Sequence, residues 1–295
     1  VTLPVVSYLI VAYKSYAAIK ALVESIVAQN GDSAKEIIVI DNYAPENCVE
    51  IVKRFAPTAN VVVNPSNCGY THGINQGIAL SGGDYVFLLN PDVVLFPDCT
   101  AILLSALRGD PGLAAAAPQL LNADSSIQNS VRNFPTFVTL IYEHLGLASF
   151  FPHSRRFGHW RNHYFDHNTR TLVSQPMASA LLIRSSVLKS VGDWDERFFI
   201  FFSDVDYCRR IQNAGHHILF EPCAKAYHQV GASTRQEGAW LIYDSHRGFY
   251  RYLVKHELKG VKALLRPIAA TMLAVSAWLR VMFRRLRRLR KTSAT

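Results

Sequence analysis

Short β-branched, apolar runs alternate with amphipathic stretches through the first half of the chain, the pattern of successive β-α units and a mainly parallel sheet. Residues 5–11 predict a first strand. Ile19, Leu22, Val23 and Ile26 then fall at helical spacing and predict a helix over about 15–29. Residues 36–40 predict a second strand with Asp41 just past its carboxyl end, and 61–63, 85–89 and 114–117 predict further strands. Helices are expected near 71–80 and 98–107. From 134 to 171 the periodicity disappears and aromatics, histidines and arginines gather, which predicts an irregular insertion. Regularity returns with a strand at 180–183 and a helix at 204–214 stopped by Gly215. No internal repeat and no low-complexity linker interrupts this order.

Ligands of open parallel sheets bind at the carboxyl ends of the strands, so Asp41 and Asn90-Pro91-Asp92 are the first candidates for chemistry. Each also has a plain structural reading: an Asx turn at Asp41-Asn42, a strand-terminating turn at Asn90-Pro91-Asp92. At 295 residues and 49% hydrophobic, the chain has enough apolar material for a full core, which excludes a disordered tail or a disulfide-stapled miniprotein and predicts one main domain with an appendage. The formal net charge of +9 suggests a nucleic-acid partner until it is divided by position. Residues 1–250 carry 19 Lys and Arg against 21 Asp and Glu; residues 251–295 carry 12 against the single Glu257. Basicity therefore belongs to the C-terminal segment, and nucleic acid is not an expected partner. Five widely spaced cysteines form no C-x-x-C pair, so neither a disulfide framework nor a zinc ribbon is indicated, and a reducing compartment fits best. No sequence of signal-peptide type opens the chain.

Several short motifs gain meaning in combination. They are residues 6–13, Ile38 to Asn42, Asn67-Cys68-Gly69-Tyr70 with Gly73, Asn75 and Gly77, Gly83 to Asp92, and Gly192 to Phe199 continuing through Asp204-Val205-Asp206. In order and spacing they resemble the inverting nucleotide-sugar glycosyltransferases of family two over about residues 5–250. With Ser130 to Pro135, the resemblance is nearest to the bacterial rhamnosyltransferase branch. It implies a GT-A fold, an α/β architecture with a Rossmann-like, mainly parallel sheet, an irregular acceptor-side portion and a C-terminal amphipathic helical tail. Nucleotide-sugar binding is expected over 1–120, the acceptor side and catalytic base over 121–250, and a basic membrane-associating tail over 251–295.

The resemblance assigns donor binding to Tyr13, Asp41, Asn67, Gly69, Asn75, Asn90 and Asp92, with Asp41 on the pyrimidine base. It assigns a divalent cation, Mn²⁺ or Mg²⁺, to Asp92 and His228, and the acceptor side to Arg132, Trp194 and Asp195. Asp204 occupies the position of the general base, at a helix N-terminus whose dipole is expected to keep it ionised. An inverting transfer needs a carboxylate to take the acceptor's proton and a cation to neutralise the leaving diphosphate, on opposite sides of the sugar. Three departures stand out. Asn90 replaces the first acid of the family's D-x-D motif; Ser203 replaces a glutamate and, with Asp206, has the form of a capping box; Ala178 stands where a glycine is usual. His159, His163 and His167 are spaced by four but lack apolar periodicity and read as a solvated loop.

Residues 267–283 are mostly apolar but interrupted by Ser276 and Arg280, and the uninterrupted part is shorter than the roughly 20 residues a spanning helix needs. Arg284, Arg285, Arg287, Arg288, Arg290 and Lys291 follow, which predicts peripheral binding to an anionic cytoplasmic membrane face. The expected activity is transfer of a deoxyhexose, foremost L-rhamnose from its dTDP donor, to a polyprenyl-diphosphate-linked saccharide in bacterial surface-polysaccharide synthesis. The competing readings are another hexosyl or galactofuranosyl transferase and a non-catalytic sugar-nucleotide-binding protein.

Overall fold

A computed structural model describes residues 3–229 and 238–292, with side chains described as far as Leu286. The elements follow in chain order: β1 (Val5–Ala12), α1 (Tyr16–Val27), β2 (Ala34–Asp41), α2 (Val49–Phe55), β3 (Asn60–Val63), α3 (Tyr70–Leu80), β4 (Tyr85–Leu89), β5 (Val93–Leu95), α4 (Cys99–Gly109) and β6 (Leu113–Leu121). Then come β7 (Val131–Arg132), α5 (Phe137–His144), α6 (Leu147–Phe150), β8 (Thr171–Val173), β9 (Gln175–Pro176), β10 (Ala180–Arg184), α7 (Ser185–Val191), α8 (Ser203–Asn213), β11 (His217–His228), α9 (Trp240–Tyr252) and α10 (Arg266–Thr292).

The main sheet has the order β3-β2-β1-β4-β10-β6-β11-β5, with β8 added against β11. The first four strands are mutually parallel, β10 runs antiparallel between β4 and β6, and β11 is parallel to β6. Strand β1 explains why its run is apolar throughout. Tyr8 and Ile10 face the layer of Ile19, Leu22 and Ile26 on α1, while Leu9 and Val11 face that of Ile74 on α3, so both faces are buried. The chain leaves β1 toward β2 and β3 on one side and reaches β4 on the other, which opens a crevice at the carboxyl ends of β1 and β4.

Gly73 and Gly77 let α3 approach β1 closely. A Cβ on Gly77 would stand 2.0 Å from Leu9 Cδ1, and one on Gly73 would stand 2.7 Å from Val11 Cγ1. Leu9 is buried and has no room to move aside. Gly77→Ala is therefore expected to cost about 1–3 kcal/mol by overpacking, read as a lower denaturation midpoint in urea. An unchanged midpoint would show that the helix can slide at no cost.

The expected irregular insertion is partly helical: α5 opens with a capping box in which Thr136 and Thr139 exchange side-chain and backbone hydrogen bonds. Its histidines do not behave alike. His159 and His163 are exposed, as a solvated loop requires, but His167 is buried with its ring edge-on to Phe165 and Phe220. Gly215 does end α8 with a left-handed φ of +84°. The start of that helix differs from expectation. Its N-cap is Phe202 at φ +69°, Ser203 Oγ donates back to the Ile200 carbonyl, and Asp206 is engaged by Lys255 and His256 at 2.8 and 2.7 Å, so there is no capping box.

Those last contacts tie the basic C-terminal segment to the sheet domain. Tyr252, Leu253, Leu258, Ala269 and Leu273 belong to the same buried core as β1 and α3. Within α10, Ala269, Leu273, Ala277 and Val281 form a buried stripe at four-residue spacing. His144 on α5 meets the Met272 carbonyl at 2.7 Å, and His246 on α9 meets Ser276 Oγ at 3.2 Å. Ile268, Val275, Trp278, Leu279 and Phe283 remain exposed. By length and composition, the helical stretch Gly260–Leu286 is long and apolar enough to cross a membrane. That corrects the expectation from 267–283 alone, because Val261, Ala263 and Leu264 extend the apolar run. Of the terminal basic cluster, the side chains of Arg287, Arg288, Arg290 and Lys291 lie outside the described residues.

Candidate active site

A pocket of about 300 Å³ occupies the crevice at the sheet's carboxyl edge. Val11 and Tyr13 reach it from the end of β1, Asn42 from beyond β2, and Asn90, Pro91 and Asp92 from the turn after β4. Asp204 closes another wall at the second residue of α8, and His228 enters from the last residue of β11.

Asp92 and His228 face one another, with His228 Nε2 3.5 Å from Asp92 Oδ1. The ring orientation has a cause. Gln128 donates from Nε2 to Asn122 Oδ1 and to the His228 carbonyl, which turns its Oε1 toward His228 Nδ1 at 2.7 Å. Nδ1 is thereby assigned the proton, and the Nε2 lone pair points at a carboxylate. Two electron-rich atoms held this way fit a divalent cation, with the outward partner fixing the imidazole tautomer. Among the described residues no group of three or more His, Cys, Asp or Glu side chains is gathered for a metal, so substrate oxygens would have to complete the shell. Asn90 contributes structurally: its Oδ1 accepts from Tyr70 OH at 3.3 Å and its Nδ2 donates to Ser179 Oγ at 3.2 Å.

Asp204 is held from three directions. Its Oδ1 accepts from the Val205 N–H at 2.9 Å, its Oδ2 accepts from Gln175 Nε2 at 3.1 Å, and the Ala178 backbone also binds the carboxylate. Burial nevertheless pushes its carboxyl above the usual range, outweighing those N–H groups and the charge of Arg132. The helix start is thus real, but desolvation, not the dipole, sets the direction. A carboxylate raised in this way is a better proton acceptor than an exposed one. Tyr70 stands under the influence of both carboxylates: burial, then Asp204, then Asp92, raise its hydroxyl pKa.

Other expected site residues are used elsewhere. Asp41 is buried and committed, accepting from the Tyr43 N–H at 2.9 Å and the Cys48 N–H at 2.7 Å, so it shapes the turn into α2 and does not line the pocket. Its neighbour Asn42 lines the pocket instead, fixed by Asn64 and by the Gly69 carbonyl. Asn67 lines the pocket and accepts from the Gly69 N–H, and Gly69 itself has a φ of +93° with the Phe199 ring 2.7 Å from where a Cβ would be. Asn75 does not reach the pocket; it clamps the backbone of Trp194 through both ends of its amide. Trp194 is buried and stacks on Tyr207 at 4.3 Å, and Asp195 is drawn well below the carboxylate range by Arg197 and Lys255. Neither faces the pocket. Arg132 lies outside the lining as well, although its charge bears on Asp204. Tyr70, within the expected Asn67 to Gly77 segment, lines the pocket, as do Ser179 and Trp240, which no motif singles out.

Residues 7–172, more than half of the chain, match the profile described as glycosyl transferase family 2. The chain belongs to that family. It is 27% identical over 256 residues to N-acetylglucosaminyl-diphospho-decaprenol L-rhamnosyltransferase of Mycobacterium tuberculosis, covering 83% of each chain. To rhamnosyltransferase WbbL of Escherichia coli K12 it is 24% identical over 252 residues, 81% of this chain and 89% of that protein. Among solved structures, GalNAc-T7 with UDP, GalNAc and Mn²⁺ superposes with a TM-score of 0.61 at 15% identity over 91% of the chain. S. aureus TarS superposes with a TM-score of 0.56 at 14% identity over 94%. The chain spans 51% and 43% of those two neighbours. The fold of this family 2 glycosyltransferase is GT-A, by its superposition on those structures.

Proposed function

We infer that the enzyme transfers L-rhamnose from dTDP-rhamnose, with inversion, to a saccharide carried on a polyprenyl diphosphate. The observation that carries this reading is the division of labour within one pocket: Asp92 and His228 on one wall, the raised carboxyl of Asp204 on another. The likeness to the mycobacterial enzyme supports the sugar and the lipid-linked acceptor. Asp92 and His228 Nε2 would hold a divalent cation, which when bound neutralises charge on the departing nucleoside diphosphate. Tyr13, Asn42 and Asn67 hold the nucleoside end of the donor. Asp204 receives the acceptor hydroxyl's proton on the carboxylate oxygen that Gln175 positions, and Gln175 keeps that oxygen aimed during the attack. Ala178 and Ser179 limit the space between donor and acceptor. A thermal-shift series of dTDP-, UDP- and GDP-sugars with and without Mn²⁺ tests the donor: the largest stabilisation belongs to the dTDP-sugar with metal, and preference for another base overturns that assignment.

The same reading puts the enzyme on a membrane face, because its acceptor stays in the lipid. The exposed Trp278, Leu279 and Phe283 lie beside Arg284 and Arg285 on α10, an apolar face with flanking positive charge. The buried stripe of the helix is occupied by α5 and α9, so lying on the bilayer keeps the packing that spanning would break. Trp278→Glu with Phe283→Glu is expected to abolish sedimentation with anionic liposomes while leaving the melting temperature within a few degrees. Retained sedimentation would place the membrane contact elsewhere.

A further inference from the structure

Strand β7 carries a cation that no carboxylate among the described residues pairs with directly. Arg132 is half-buried, and among the described residues its guanidinium makes no hydrogen bond and no ion pair. Its guanidinium lies 6.0 Å from the centre of the Trp160 ring, and Arg161 stands at the same 6.0 Å from that ring. Arg161 is spoken for by two 2.7 Å hydrogen bonds to Glu143. Arg132 is not, and its five N–H donors, half-withdrawn but still reached by water, are open to an acceptor. Burial lowers its pKa, and Asp204 is the largest influence in the other direction.

The surroundings hold both signs of charge, Glu143 taken by Arg161 and Asp204 held by Gln175. His163 is exposed next to this site, and its Nδ1 takes a hydrogen bond from Asn129 Nδ2 at 2.8 Å, so Nε2 carries the proton and is free to donate. Burial lowers the pKa of His163, as do the charges of Arg161, His153 and Arg132. With Arg161 satisfied by Glu143, the Arg132 guanidinium and the His163 N–H are the donors left open to an anion.

The placement says which anion. Arg132 pairs in register with Gln175 across β7 and β9, and the Gln175 side chain holds Asp204. The cation therefore stands on the side of the base, where the acceptor enters, whereas Asp92 and His228 serve the donor's leaving group. In a sugar 1-diphosphate, the attacking hydroxyl and the diphosphate are separated by one pyranose ring. With that hydroxyl at Asp204, a diphosphate one ring away on this side would come within reach of a long side chain on β7, which pairs with the strand carrying Gln175. The geometry points to Arg132, with His163 beside it, as the seat of the diphosphate that joins the acceptor saccharide to its lipid. This rests on the proposed lipid-linked acceptor and deepens it. Arg132 acts as a binding and specificity residue: it fixes how far the sugar enters, and thereby which hydroxyl reaches Asp204.

The test compares two acceptors on one preparation: a short-chain prenyl-diphosphate N-acetylglucosamine and an alkyl glycoside of the same sugar. R132Q is expected to shrink the kcat/KM preference for the diphosphate acceptor about tenfold or more, the size of one lost charge-assisted contact, and R132K to restore part of it. The ratio is independent of how much variant protein folds. Equal losses on both acceptors, or an unchanged ratio, overturn the proposal. A second arm titrates the prenyl-diphosphate sugar into dTDP-saturated protein without turnover. Weaker binding by R132Q there, in a protein that transfers to neither acceptor, would uphold the diphosphate site and reject the proposed reaction; equal binding would reject the site. Vesicle sedimentation of R132Q separates acceptor diphosphate from lipid headgroup: loss of sedimentation assigns Arg132 to the bilayer and overturns the proposal.

Discussion

Asp204→Asn is expected to lower turnover by about 10²-fold or more while raising the melting temperature at neutral pH. The two effects have one origin. Burial holds the Asp204 carboxyl above its ordinary pKa, so the folded protein retains that proton more strongly than the unfolded chain does. Such a group contributes stability fully below its unfolded pKa and loses it as pH rises through the folded value. At neutral pH the ionised carboxylate is a net cost, which a neutral amide of the same size removes. Gln175 can accommodate the change, because its buried Oε1 has no partner and an amide flip would offer it to the new N–H₂ group. The stability gain should vanish as the pH falls below the carboxylate range, where both side chains are neutral. In the unsubstituted enzyme, the acid limb of the kcat/KM profile should lie above the range of an exposed carboxylate. Normal turnover by the variant would remove Asp204 from the chemistry, and a lower melting temperature would show that its hydrogen bonds outweigh its burial.

The second large effect is expected at the opposite wall. Asp92→Asn should lower Mn²⁺-supported donor binding and turnover together, by about 10–100-fold or more, since charge on the diphosphate would then face only neutral groups. Gln128→Leu, which touches no substrate, should weaken Mn²⁺ affinity in the same direction by freeing the His228 ring. Titration of Mn²⁺ followed by electron paramagnetic resonance reads both variants. Donor binding that is indifferent to EDTA and to both substitutions would mean that His228 and Asp92 serve as an ion pair and no metal takes part.

Legibility in the sequence followed locality. Strand β1, α1 and β2 were predictable because the strands are buried on both faces and the helix has a single apolar stripe, each a signal within about a dozen residues. The longest strand, β11, was missed: Pro222 and Lys225 break its apolar run, and its pairing with β6 shifts register between Glu221 and Lys225. The motifs single out Asp92, His228 and Asp204, and the fold brings all three to one pocket. Asp41 shows the opposite case. Its Asx-turn alternative, open in the sequence, is what the structure contains, and Asn42 takes its place in the pocket. Gln128 and Gln175 carry no local signal, since they act on residues 100 and 29 positions away. The C-terminal helix was recognised as amphipathic, but its docking through Lys255, His256, His144 and His246 depends on partners that only the folded chain brings together.

The most direct test of the account is a mass-spectrometric assay of the purified enzyme with dTDP-rhamnose, Mn²⁺ and a prenyl-diphosphate N-acetylglucosamine. The account predicts a lipid-linked disaccharide heavier by one deoxyhexose, formed by the unsubstituted enzyme and nearly absent with Asp204→Asn. Donor binding without any transfer or hydrolysis, under conditions where the protein is folded, would contradict it and leave a sugar-nucleotide-binding protein in its place.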